Sequence, residues 1–181
     1  MQHLHEPASD GDFRNRFGGP PSDADAIIQE IHDYWLDKAG DRDVPDRRDL
    51  DPLLEIPKLT PHIWLLDVVG DPPRYRYRLL GSQLVAAGSA SRIGQFLDEV
   101  KPVRDNTAVH EALRRVCAER IPYWYRGRPT LVHDGYVSGL EYIMLPLTVD
   151  GSAEIRMLMN LTRHYWSEKR PAVLRRGLAR S

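Results

Sequence analysis

Few residues in this 181-residue chain can do chemistry, and they are scattered. His110 follows Val109 in a helical stripe of Val109, Ala112, Leu113, Val116 and Cys117. One position along a helix is a rotation of about 100°. His110 therefore sits at the margin of a buried face, where an imidazole can ligate a metal, hydrogen-bond a ligand or simply border the core. Cys117 is the only cysteine, which excludes an internal disulfide and a cysteine-cluster metal site. On a buried face a thiol is usually inert filler. Trp124, Tyr142, Met144, Met157 and Met159 fall on strand-like segments. They read either as core or as the lining of a methionine- and aromatic-walled cavity that would take a small apolar or aromatic ligand.

Reaction signatures do not assemble around these groups. The chain has no G-x-S-x-G elbow, no H-E-x-x-H, no phosphate-cradling glycine loop and no G-x-G-x-x-G. Asp41, Asp43, Asp46, Asp49 and Asp51 suggest a calcium loop, but Asp46 stands where that loop needs glycine. The basic residues Arg42, Arg47 and Arg48 among these acids make the stretch a salt-bridged connector instead. "RYRYRLL" (74–80) interleaves aromatic and basic residues as a nucleic-acid strand would. A formal net charge of -1 supplies no general attraction for polyphosphate, and the glycine–aromatic pattern of RNA-recognition strands is missing. If "GDPP" turns a hairpin, Arg78 falls opposite Trp64 and can lie over its indole, a contact worth roughly 0.5–2 kcal/mol. Tyr77 and Arg78 thus join the candidate pocket-edge residues.

The elements that must position these groups follow from hydrophobic period. Residues 1–21 are polar and aperiodic, which predicts a disordered N-terminal tail; His3 and His5 lie on it. Ser22 with Asp25 resembles a capping box. Ile27, Ile28, Ile31, Tyr34 and Trp35 then make one stripe, and Gly40 stands at the C-cap, giving an N-terminal amphipathic helix over 22–40. "HIWLLDV" and "RYRYRLL" predict a hairpin; 103–120 predicts a long helix; "YWYRGRPTLV", "GLEYIMLPLTV" and "AEIRMLMNLT" predict three further strands. Residues 41–162 are one domain, and 163–181 form a basic C-terminal tail. Strands flanking a helical middle point to an α+β fold with an antiparallel sheet. With no secretory leader pattern and no apolar run near the roughly 18 residues of a membrane span, the expected location is cytoplasmic.

This order, with "VPDRRDLDP" leading into "WLLDV", then "RYRLLG", "SRIGQFLDEV" and "EYIMLPLTVDG", resembles the PAS sensory domain, and among its members the short stand-alone bacterial proteins. The resemblance implies a five-stranded sheet in the order 2-1-5-4-3 with helices on one face, a small-molecule pocket between sheet and helices, and homodimerisation that commonly uses the N-terminal helix. It also implies what each cofactor requires. Flavin–thiol photochemistry needs a cysteine in the middle segment, and residues 88–98 contain none. Haem relatives use a histidine on the long helix, where His110 stands, although a boundary histidine is the reading we carry. The expected function is that of a non-catalytic sensor or signalling adaptor. It would act through a small-molecule pocket and association with a signalling partner, without nucleic acid. The alternative is a small enzyme on a curved-sheet α+β scaffold, which requires a polar cavity with a perturbed acid or histidine.

Overall fold

In the computed structural model the described residues are 13–89, 92–100, 107–129 and 136–167. The remainder of the expected tails, His3 and His5, and residues 103–106 of the expected long helix lie outside them. In chain order the elements are β1 (Arg14–Phe17), α1 (Ala26–Ala39), α2 (Pro52–Glu55), β2 (Ile63–Val69), β3 (Arg74–Leu80), α3 (Ser82–Leu84), α4 (Thr107–Glu119), β4 (Tyr123–Gly127), β5 (Val137–Leu147) and β6 (Met157–Trp166).

The α+β class and the antiparallel sheet hold. The observed order is β1-β4-β5-β6-β2-β3. Its five inner members, β3-β2-β6-β5-β4, are the expected 2-1-5-4-3, and β1 is a sixth strand at the edge. The expected tail therefore contains structure. "RNRF" has no apolar period, but it pairs with the open edge of β4, Arg14 opposite Arg126 and Phe17 opposite Tyr123. The Phe17 ring lies 4.8 Å from Tyr123, and the Arg115 guanidinium sits 3.8 Å from the Phe17 ring on the other side. An edge strand with unpaired backbone groups is a template for such an addition. At the other end, residues 163–166 belong to β6 and pair with β5 rather than beginning a tail.

α1 begins one turn later than the capping box suggested. Asp25 is the N-cap and its side chain accepts the Ile27 amide, while Asp23 is held by Arg14 and Arg126. Gly40 ends the helix with φ 56, where its amide reaches the Leu36 carbonyl. The apolar stripe buries Ile28, Ile31 and Trp35. Trp35 Nε1 donates to the Pro146 carbonyl near the C-terminal end of β5 at 2.9 Å. Thus α1 covers one face of the sheet, the outer face. The other face, the inner one, is the side of α4, whose Val109, Ala112, Leu113 and Val116 are buried.

Cross-strand register assigns each strand residue to a face, because alternate residues point to opposite sides. Met144 pairs with Asn160 and Tyr142 with Thr162 on the inner face; Leu145 pairs with Met159 and Leu147 with Met157 on the outer face. The β2–β3 hairpin contains a bulge: Leu65 opposes Leu79, but Leu66 opposes Tyr77, so Arg78 is the extra residue. Tyr75 and Tyr77 stay on the inner face, whereas Leu79 turns outward and is 43% exposed.

Candidate functional site

The inner face of the sheet is a wall of aromatic rings with polar groups set among them. Tyr125 stacks on Tyr142 with ring centres 4.9 Å apart, and Trp64 stacks on Tyr77 at 5.8 Å. Leu66 and Met144, both essentially unexposed, fill the space between. Burial pushes the Tyr123 phenol up to about 12 and raises Tyr75, Tyr77 and Tyr142 above their ordinary value as well, with Arg92 opposing the shift at Tyr77. These phenols are neutral at physiological pH and act as hydrogen-bonding groups, not as phenolate nucleophiles. Burial likewise pushes the Cys117 thiol up to about 11, so it is inert.

Three buried polar atoms on this face carry a ligand argument. Asn160 Oδ1 meets no hydrogen-bond partner among the described residues, while the Tyr75 hydroxyl lies beside the Cys117 thiol and the Tyr77 hydroxyl beside Arg92 without a well-formed bond to either. Asn160 is fully buried on β6, with its amide nitrogen directed to the Leu158 carbonyl at 3.2 Å and the Trp64 carbonyl at 3.4 Å. Next to it Trp64 Nε1 donates to Thr162 Oγ1 at 3.0 Å, a satisfied neighbour that makes the open carbonyl stand out. A buried acceptor left unpaired costs roughly 1–3 kcal/mol, a cost a fold retains where something else supplies the donor.

The residues singled out from the sequence do not converge. Tyr77, Tyr142 and Met144 share the inner face. His110 is half-buried in the first turns of α4, where its charge is felt at Asp98, a carboxyl held low chiefly by Arg74. Met157, Met159 and Trp124 lie on the outer face, because β5 and β6 are buried on both sides and their apolar runs carry no alternation to reveal the register. Arg78 is an exposed bulge residue that reaches Asp67 at 3.4 Å, and Leu80 takes its expected place opposite Trp64. The expected indole–guanidinium stack is replaced by the Trp64–Tyr77 stack. Leu80 is two residues from the expected Arg78: the turn pairs Val69 with Arg74, one position off the expected register, and the bulge adds the second.

A second polar centre, missed from the sequence, ties α1 to the outer face. Glu141 is fully buried on β5. Its carboxylate accepts from Trp124 Nε1 at 2.7 Å, Tyr165 Oη at 2.9 Å, Arg126 Nε at 3.0 Å and the Asp25 backbone amide at 3.0 Å. One carboxylate thus anchors the N-terminal cap of α1 to three strands. Arg163 adds an ion pair to Asp25 at 3.4 Å. The signal was present in "GLEYIMLPL": a lone acid in an apolar strand must be paired if it is buried.

A comparison with known families agrees with this architecture. A family model described as PAS domain matches residues 25–162, which is 138 of 181 residues. The chain is a PAS domain protein. The comparisons with curated proteins and with solved structures found no match. PAS membership indicates a sensory or signalling role in general terms. The matched span starts at Asp25, the residue that caps α1, and closes at Thr162 on the inner face of β6. β1 lies outside it and is an addition to the PAS sheet in this chain. No helix among the described residues is long and apolar enough to cross a membrane.

Proposed function

We propose that this PAS protein is a non-catalytic sensor or adaptor whose ligand sits against the inner face of the sheet and whose output runs through α1 on the outer face. The ligand is a small molecule with an apolar or aromatic body and at least one hydrogen-bond donor. Tyr77, Tyr142 and Met144 form its wall, Asn160 Oδ1 receives the donor, and His110 stands at the helical rim. The observation that carries the reading is the buried, unpaired Asn160 carbonyl on the same face as the buried phenols of β3. The non-catalytic part is supported by the direction of the shifts on this face, since every perturbed phenol and the thiol are pushed toward the neutral, unreactive form. Output is by association, with homodimerisation and a separate signalling partner as its routes.

Asn160→Leu separates a ligand contact from a structural one. Leucine has nearly the same volume and removes the unpaired carbonyl together with the two long amide bonds to Leu158 and Trp64, so the opposing effects should leave stability within about 1 kcal/mol of the parent. It should also fail to retain the ligand. Native mass spectrometry of both proteins, purified in parallel, reads the second property. The expected result is a discrete small-molecule adduct on the parent chain and bare mass for the variant. A variant that is clearly less stable, or that keeps the same adduct, removes Asn160 from the site.

A further inference from the structure

The outer face of the sheet is only partly covered. α1 lies over β5 and β6 and leaves β2 and β3 open on that side. There Ile63, Leu65, Leu79 and Met159 line a cleft of about 310 Å³ bordered by Pro52 and Leu53 of α2. Leu53 is 73% exposed and its neighbour Leu54 81%. A four-residue helix presenting two leucines to solvent beside an apolar cleft is the kind of contiguous patch that marks an interaction surface. Two residues farther along the same face, Asp67 follows Leu65 and Met157 follows Met159. Arg47, Arg76, Arg78 and Arg156 surround that stretch. Arg47 borders both parts, so they form one groove with an apolar half and a basic half.

The charge balance of the basic half selects the occupant. Asp67 is shared between Arg76 at 3.1 Å and Arg78 at 3.4 Å. Arg156 turns to the exposed Glu154, and Arg47 donates to the Leu50 carbonyl. Four guanidiniums thus face a single carboxylate in the lining of a protein whose net charge is -1. Arginine forks match carboxylates bidentately. A polyanion such as nucleic acid would have no use for the leucine-rimmed half, and an apolar ligand alone none for the arginines.

We propose that this groove docks an amphipathic helix of a partner protein, with its aliphatic side chains in the cleft and its Asp and Glu side chains along Arg47, Arg76 and Arg78. The inference builds on the signalling role proposed above by giving the output partner its chemistry. It uses a different face from the ligand site, so either can fail without the other. A second copy of the chain is the competing occupant, because α1 itself carries Glu30, Asp33 and Asp37 beside Leu36 on its exposed side.

The test titrates the full chain into a fluorescein-labelled synthetic helix of leucine and glutamate, with the same helix carrying lysine for every glutamate as control, read by fluorescence anisotropy. The glutamate helix should bind saturably and more weakly as salt rises, and the lysine helix should not bind. Leu53→Glu with Leu79→Glu should abolish binding. Arg76→Glu with Arg78→Glu, a surface change expected to leave the circular dichroism unchanged, should weaken it about tenfold or more. Absence of saturable binding, equal binding of the lysine helix, or unchanged binding in both double variants overturns the proposal. Sedimentation supplies the remaining arm: a parent dimer that the arginine double variant converts to monomer assigns the groove to a second copy and likewise overturns it.

Discussion

Glu141→Ala should destabilise the protein by about 3–5 kcal/mol, the range for breaking a buried charge pair by removing one partner. The carboxylate is fully buried and serves four donors. Alanine leaves the Arg126 guanidinium, whose side chain is only 15% exposed, without its buried counterion. It also strands the Trp124 indole and the Asp25 amide. The loss should not be uniform. Asp25 caps α1, so the helix should detach from β5 before the sheet melts, and limited proteolysis should cut near residues 20–40 in the variant while sparing the strands. Glu141→Gln retains an acceptor for Trp124 and Asp25 but gives up the charge and turns an amide donor toward Arg126 and Tyr165, so its loss should be intermediate. Chemical denaturation of the three proteins measures the series. Equal stability of parent and alanine variant would mean that the network does not hold α1 in place.

Gly81→Ala is the second large effect, and its cause is space. Gly81 has φ -65 and ψ 158, a conformation any residue adopts. A Cβ placed there would lie 2.3 Å from the Pro61 carbonyl oxygen and 2.7 Å from that of Ile63, both backbone atoms that no rotamer change can move. The Gly81 amide donates to the same Ile63 carbonyl at 2.8 Å. Alanine must therefore part β3 from the turn before β2, with an overpacking cost of about 1–3 kcal/mol or more. Gly94→Ala is the contrast. At φ +87 it meets no atom within 4 Å, so only backbone strain opposes it, at about 1–2 kcal/mol. Thermal unfolding should rank Gly81→Ala as the more damaging of the two; the reverse order would refute the close-approach account.

What the sequence revealed and what it concealed divide along physical lines. Hydrophobic period located α1, α4 and the five PAS strands because each buries a face with its own spacing. It missed β1, since "RNRF" is held by an exposed strand edge and not by a pattern of its own. It could not sort Met157 and Met159 from Tyr142 and Met144, because strands buried on both sides lose alternation and only pairing register separates the faces. A one-residue offset at the turn and a bulge at Arg78 together displaced the residue expected against Trp64. The inner-face wall was half visible, through Tyr77, Tyr142 and Met144. Nothing in "AEIRMLMNLT" marks its polar element, Asn160, because an unpaired acceptor is a property of surroundings and not of sequence.

Hydrogen–deuterium exchange over residues 26–39 tests the central claim most directly: a molecule on the inner face of the sheet changes how firmly α1 is held on the outer face. The comparison is between protein as purified and the same protein stripped of small molecules by denaturation and refolding. The account predicts that the two preparations differ in mass by the retained molecule and that amide exchange in α1 differs between them, while β5 exchanges equally slowly in both. Identical exchange in α1 despite a difference in bound mass would contradict it.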